Sequence, residues 1–193
     1  GIGRRQRQMC IRDRYMLEKL AEKGYAENIM IINVTNNTIA LDDHKLDILK
    51  QFKKIKIFSS VDGIGDLCES VRAGSKWSQV EDNIKHLIEL SDQYPEKFIH
   101  TEPHSVVQVA NALQLDEIVN WWHLTARENF KDKLYFRILD DPRYYDIKIL
   151  SKDIKNSIIN KYHDKKELKH VSNYAKVNLD NFNEEYSNIG MTI

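Results

Sequence analysis

Two cysteines in 193 residues cannot make a disulfide framework, and three prolines with seven glycines exclude collagen-like and linker-type chains. No uninterrupted apolar run approaches the roughly 20 residues needed to cross a bilayer, so no membrane partner is expected. Neither sign of charge is in excess, with 29 basic against 29 acidic side chains. A chain so poor in cysteine points to a reducing, cytoplasmic compartment. What the sequence does have is 41% apolar and 30% charged residues, the balance of one soluble globular domain long enough to bury a core.

The neutral total hides a break. Residues 1–14 carry Arg4, Arg5, Arg7, Arg12 and Arg14 against the single acid Asp13, whereas lysine supplies most of the positive charge afterwards. Without those fourteen residues the chain holds 24 basic and 28 acidic side chains. A basic arm for nucleic acid or a targeting peptide is one reading of this segment, but the apolar stretch of a signal peptide is missing. The run from Arg5 to Arg14 reads instead as translated sequencing adapter, which makes residues 1–14 a non-native or disordered segment, with the true start of the protein missing ahead of Tyr15.

From Tyr15 onward, helix-like and strand-like patterns alternate. Residues 15–23 have apolar side chains at helical spacing and stop at Gly24; Ile29–Val34 is an apolar run expected to be a strand covered on both faces. Leu41, Leu46, Leu49 and Phe52 mark a helix, and Ile55–Ser60 a second strand. Ser78 and Glu81 predict a capping box ahead of the stripe Val80, Ile84, Leu87 and Ile88. Further strands are predicted at Phe98–His104, Leu134–Leu139 and Ile147–Leu150, and further helices at Leu115–Leu124, around Ile154–Tyr162, and from Leu168 through Phe182 to Tyr186. Strands every 25 to 40 residues with helices between them call for a parallel sheet, closed as a barrel or open and doubly wound. Polar residues after each strand would converge on one rim.

Several strand ends have chemistry to offer. Ser60 and Asp62 alternate and so share one side of an extended chain; they suit the vicinal hydroxyls of a ribose, or they are an ordinary strand-to-helix turn. Gly63-Ile64-Gly65 opens a dinucleotide fingerprint, but Cys68 stands at the third glycine position and no helix is expected directly after it. Thr35-Asn36-Asn37-Thr38 is either a polar binding loop or a loop with a left-handed asparagine. His100, Glu102 and His104 point the same way and resemble a zinc set, yet Pro103 interrupts them and only three ligands are visible, so no metal is assigned. Trp121, Trp122, Phe130 and Tyr135 read as packing rather than a base-stacking platform, since Glu117, Glu128 and Asp132 flank them; no nucleic acid is expected. Cys10 and Cys68 are poor nucleophile candidates. Glu102, His104 and Asp140 are positional candidates for substrate contact.

In order along the chain, Thr35–Thr38, Phe58–Asp66, Val71–Trp77, Val80–Ile84, Asn111–Trp121 and Pro142–Leu150 resemble the middle and later part of radical S-adenosylmethionine enzymes of the twitch-domain group. The resemblance covers Tyr15 to Tyr186. It implies a partial (β/α)6 TIM-like barrel over 15–165, truncated at its N-terminal side, with a helical extension over 166–193. It also implies S-adenosylmethionine bound beside a [4Fe–4S] cluster, which cleaves it to a 5′-deoxyadenosyl radical that abstracts hydrogen from a small-molecule or peptide substrate. The family's CxxxCxxC and GGEP-type motifs are absent from this sequence, which implies an inactive fragment with no cluster ligands of its own. Carried over residue by residue, Ser60 and Asp62 match the ribose motif and Asn36 and Thr38 the TNGT-like turn, with Asn37 in place of glycine. Arg72 opens the R-x-Gly-Ser-x-Trp segment and is suited to pairing with a carboxylate. The rivals are an open-sheet nucleotide-binding α/β protein and a non-catalytic scaffold that binds a partner through an exposed barrel edge.

Overall fold

Alternating apolar and polar residues make the strands, and stripes at helical spacing make the helices that cover them. In the computed structural model, which describes residues 14–180 apart from the side chains of His100 and Thr101, the elements are helix α1 (residues 14–22), strand β1 (Met30–Thr35), helix α2 (Asp43–Leu49), strand β2 (Lys54–Ser60) and helices α3 (Gly65–Val71) and α4 (Trp77–Gln93). Strand β3 (Phe98–Val107), helix α5 (Leu115–Thr125), strand β4 (Tyr135–Ile138) and helices α6 (Lys152–Tyr162) and α7 (Lys169–Val177) follow. The strands lie in the order β1-β2-β3-β4, with no reversal of direction in that order. The pairs β1/β2 and β3/β4 are parallel. The fold is therefore α/β with a parallel sheet.

The chain divides into two compact units. One holds the described residues up to Ser59 together with Gln79–Thr101; the other holds Ser60–Ser78 and the described residues from Glu102 on. In the first, Ile55 and Ile57 of β2 share a core with Ile48 and Phe52, with Leu87 and Leu90 of α4, and with Phe98; Leu17 and Leu20 of α1 and Ile31 of β1 pack against it. Gly24, at φ 71°, ends α1 in the left-handed conformation that glycine adopts without strain.

The opposite face of these strands is open. Met30, Ile32 and Val34 are 52–59% exposed, and their register partners Lys54, Lys56 and Phe58 are only half-buried. The expectation that Ile29–Val34 is covered on both faces is thus corrected: an apolar run looks the same in sequence whether one or two layers cover it. Ile32→Thr will change the unfolding free energy by less than about 0.5 kcal/mol, because the side chain gives up little burial; urea titration followed by circular dichroism checks this.

The second unit repeats the asymmetry. Pro103, Ser105, Val107 and Phe136 are buried, while Glu102, His104, Tyr135 and Arg137 on the alternate positions are not. Here Ile118 and Trp122 of α5, Ile158 and Tyr162 of α6, and Val171 and Ala175 of α7 are all buried. The Tyr162 hydroxyl accepts from the Leu115 amide at 3.1 Å, and burial pushes this phenol's pKa well up. Pro103 is tolerated because the next residue, His104, is the one that bonds toward the end of β2, its O accepting from the Val61 amide at 2.9 Å. The missing N–H of Pro103 therefore faces the β4 side, where pairing starts only at His104 with Tyr135.

Three further expectations are corrected. Ile147–Leu150 is not a strand: Ile147–Ile149 is a 3-10 turn capped by Asp146, whose carboxylate accepts from the Lys148 amide at 2.9 Å. Asp146 is fully buried and also takes the Tyr174 hydroxyl at 3.0 Å. Burial, followed by that bond, pushes the Tyr174 pKa up to about 12. The capping box at Ser78 does not form, since α4 already starts at Trp77, whose amide donates to Glu69 Oε1 at 3.0 Å, and Glu81 pairs with Lys85 instead. Finally, a helix does follow the Gly63-Ile64-Gly65 turn directly, as α3. Phe182 and Tyr186 of the predicted C-terminal helix, and residues 1–13, lie outside the described residues.

Candidate functional site

Strand β2 ends at Ser60, and Asp62 follows two residues later in the turn, facing the same partner. Arg72, the C-cap of α3, returns to both: one Nη2 donates to Ser60 Oγ at 2.6 Å and to Asp62 Oδ2 at 2.6 Å. The ion pair is mostly shielded, with 21% of the Arg72 side chain and 13% of Asp62 exposed. The other oxygen of Asp62 accepts from the Val106 amide at 2.8 Å. Asp62 thus joins the end of β2 to β3 and anchors the guanidinium, with both oxygens engaged. Three residues chosen from sequence for a cofactor meet at one point, and the carboxylate that Arg72 neutralises is one of them.

A residue not singled out from sequence holds this corner together. Asn111 is fully buried; its Nδ2 donates to Asp62 O and to Val106 O, both at 2.8 Å, and its Oδ1 accepts from the Gln108 amide at 2.8 Å. No periodicity or motif marks an asparagine for this task. The one signal was its place as the first residue of the Asn111–Trp121 segment that carries the resemblance.

The R-x-Gly-Ser-x-Trp segment has a local logic of its own. Gly74 sits at φ 86°, where a side chain would be strained. Ser75 Oγ donates to Arg72 O at 2.8 Å, satisfying a carbonyl at the end of α3, and Trp77 meets Trp121 edge-on with ring centroids 5.1 Å apart. Gly63 is required by close approach, because a Cβ there would lie 2.6 Å from Leu67 Cγ.

Asn36 and Thr38 belong to the other unit. Asn36 Oδ1 accepts from the Thr38 amide at 3.2 Å and from Thr38 Oγ1 at 2.9 Å. Between them Asn37 takes φ 56°, a conformation that suits glycine and that asparagine tolerates better than most residues. Its carbonyl accepts from Asn83 Nδ2 of α4 at 2.7 Å. Asparagine in the glycine position of the TNGT-like turn therefore keeps a left-handed geometry.

An iron–sulfur cluster does not fit the residues present. Among the described residues Cys68 is the one cysteine, buried at 4% exposure, and desolvation pushes its thiol pKa up, away from the thiolate that binds iron. Cys10 lies outside the described residues. Of the His100, Glu102 and His104 set, His104 Nε2 lies 3.7 Å from Glu102 Oε1, and the His100 side chain is outside the described part. His104 also stacks on Tyr135 with centroids 5.0 Å apart. Trp121 and Trp122 are buried in packing, and Trp122 Nε1 donates to Phe130 O at 2.9 Å. No helix among the described residues is long and apolar enough to cross a membrane. No family model, no curated protein and no solved structure matches this chain.

Proposed function

We propose that residues 15–193 are the later part of a radical S-adenosylmethionine enzyme, a partial (β/α)6 barrel whose cluster-binding cysteines lie outside this sequence. What supports the reading is the half-covered parallel sheet: within each unit, buried and open positions alternate along the strands. Parallel sheets normally have both faces covered, whereas the strands of a barrel face helices outside and line an interior inside. In this reading Ser60 and Arg72 contact the adenosylmethionine, Ser60 through its hydroxyl and Arg72 through guanidinium N–H groups other than those held by Ser60 and Asp62. Asp62 positions Arg72. Asn36 and Thr38 are cofactor contacts in this reading too, the substrate is a small molecule or peptide, and the compartment is the cytoplasm. The chemistry of the whole enzyme is reductive cleavage of the sulfonium followed by hydrogen abstraction; the residues of this chain bind and orient.

The test is the reading frame that continues upstream of Tyr15. It should encode CxxxCxxC about 80 to 110 residues before Ser60, the length of two strand–helix repeats. The full protein, reconstituted with iron and sulfide and given dithionite, should form 5′-deoxyadenosine. The 193-residue chain treated alike should show no cluster absorbance. A natural frame that starts near Tyr15 with no cysteine triplet, or a site-specific cluster on this chain, would end the proposal.

One observation favours the open-sheet nucleotide-binding alternative: α3 begins at Gly65, directly after the glycine turn. Against it, Cys68 fills the third glycine position as a buried packing residue. Saturable binding of ATP or NAD by the isolated chain, abolished by Gly65→Val, would favour that alternative.

A further inference from the structure

His123, Asp132 and Glu167 come from three separate segments, yet each offers a ligand atom within 4.8 Å of the other two. His123 is in the last turn of α5, Asp132 lies between the 3-10 turn Glu128–Phe130 and β4, and Glu167 stands just ahead of α7. The histidine makes this more than a group of surface acids. Its Nε2 is shielded from solvent and has no hydrogen-bond partner, a costly state for a buried imidazole nitrogen. No solvent reaches it, and the nearby carboxylates stop short of it.

We propose that these three residues bind a zinc ion. A triangle with no side longer than 4.8 Å has a point within about 2.8 Å of every corner, so rotamer adjustments of under an ångström bring the ligands to the roughly 2.0–2.2 Å of zinc–nitrogen and zinc–carboxylate bonds. One imidazole and two carboxylates suit zinc better than calcium or magnesium, which prefer all-oxygen sets. Three protein ligands leave the fourth tetrahedral position to water. The ligands are also held by their neighbours. Trp122, beside His123, is buried and bonded to Phe130 O, the Lys133 amide closes back on that same carbonyl, and Leu168, beside Glu167, is fully buried. Lys166 Nζ, 3.5 Å from Asp132 Oδ2, is the protein's own cation at the site and must give way to the metal. The ion would tie the end of α5 to the start of α7.

The experiment is equilibrium dialysis of the 193-residue chain against zinc chloride, with the melting temperature read in parallel. One zinc per chain and a raised melting temperature reversed by EDTA are expected. His123→Ala and Glu167→Gln should each weaken binding at least tenfold, while Lys166→Ala should tighten it by removing the competing charge. The cobalt-substituted chain should show tetrahedral visible bands without a thiolate charge-transfer band. Zinc binding unchanged in both ligand variants, a thiolate band, or stabilisation by calcium and not by zinc would each overturn the proposal. Because Glu167 is half-buried and off the core, its variant tests the site even if the His123 variant folds poorly.

Discussion

Asn111→Ala will lower the unfolding free energy by about 2–4 kcal/mol, because three partly buried backbone groups lose their partner at once. Asp62 O, Val106 O and the Gln108 amide each sit 2.8 Å from the Asn111 side chain, and an orphaned buried donor or acceptor costs roughly 1–3 kcal/mol. Asn111→Asp separates the contributions: it keeps the acceptor for Gln108 but turns a carboxylate oxygen toward two carbonyls, so it should be as damaging as alanine or worse. The chain carries its own reporter. All three tryptophans, Trp77, Trp121 and Trp122, belong to the same unit as Asn111, so urea unfolding followed by their fluorescence measures that unit. A loss below about 1 kcal/mol for alanine would mean that water replaces the side chain and that the corner is looser than its distances indicate.

The second large effect lies one contact away. Asp62→Ala should cost about 2–4 kcal/mol, since it strands a mostly shielded guanidinium and the Val106 amide together. Arg72→Ala should cost less, because Asp62 keeps its bond to Val106 and gains water. The double variant should be more stable than the sum of the two losses predicts, with a coupling of about 1–2 kcal/mol. Fluorescence-detected urea titration of the four proteins closes the cycle. Independent, additive losses would show that Arg72 and Asp62 are neighbours without being partners.

These two residues also mark how far sequence carries. Ser60 and Asp62 were legible because alternation along an extended chain puts both on one side, and Arg72 because it opens the R-x-Gly-Ser-x-Trp segment of the resemblance. That the partner is Asp62 itself was not legible: the nine residues of intervening chain had to fold back through α3, a helix whose stretch Gly65–Val71 opens on glycine. Asn111 was invisible for a related reason, since its three partners are backbone atoms and backbone carries no sequence signal. His123, Asp132 and Glu167 lie in three segments that only packing brings together.

By itself, then, the sequence determined the alternation of strands and helices, the α/β class, and which strand ends are polar, because these follow from side-chain period and local conformational preference. Tertiary structure decided which strand face is covered, whether Ile147–Ile149 extends or turns, and which polar groups meet. Those outcomes depend on what lies across the chain from each residue. An apolar side chain has the same hydrophobicity on a covered face as on an open one, and a carboxylate the same charge whether it meets water, a guanidinium or a metal ion.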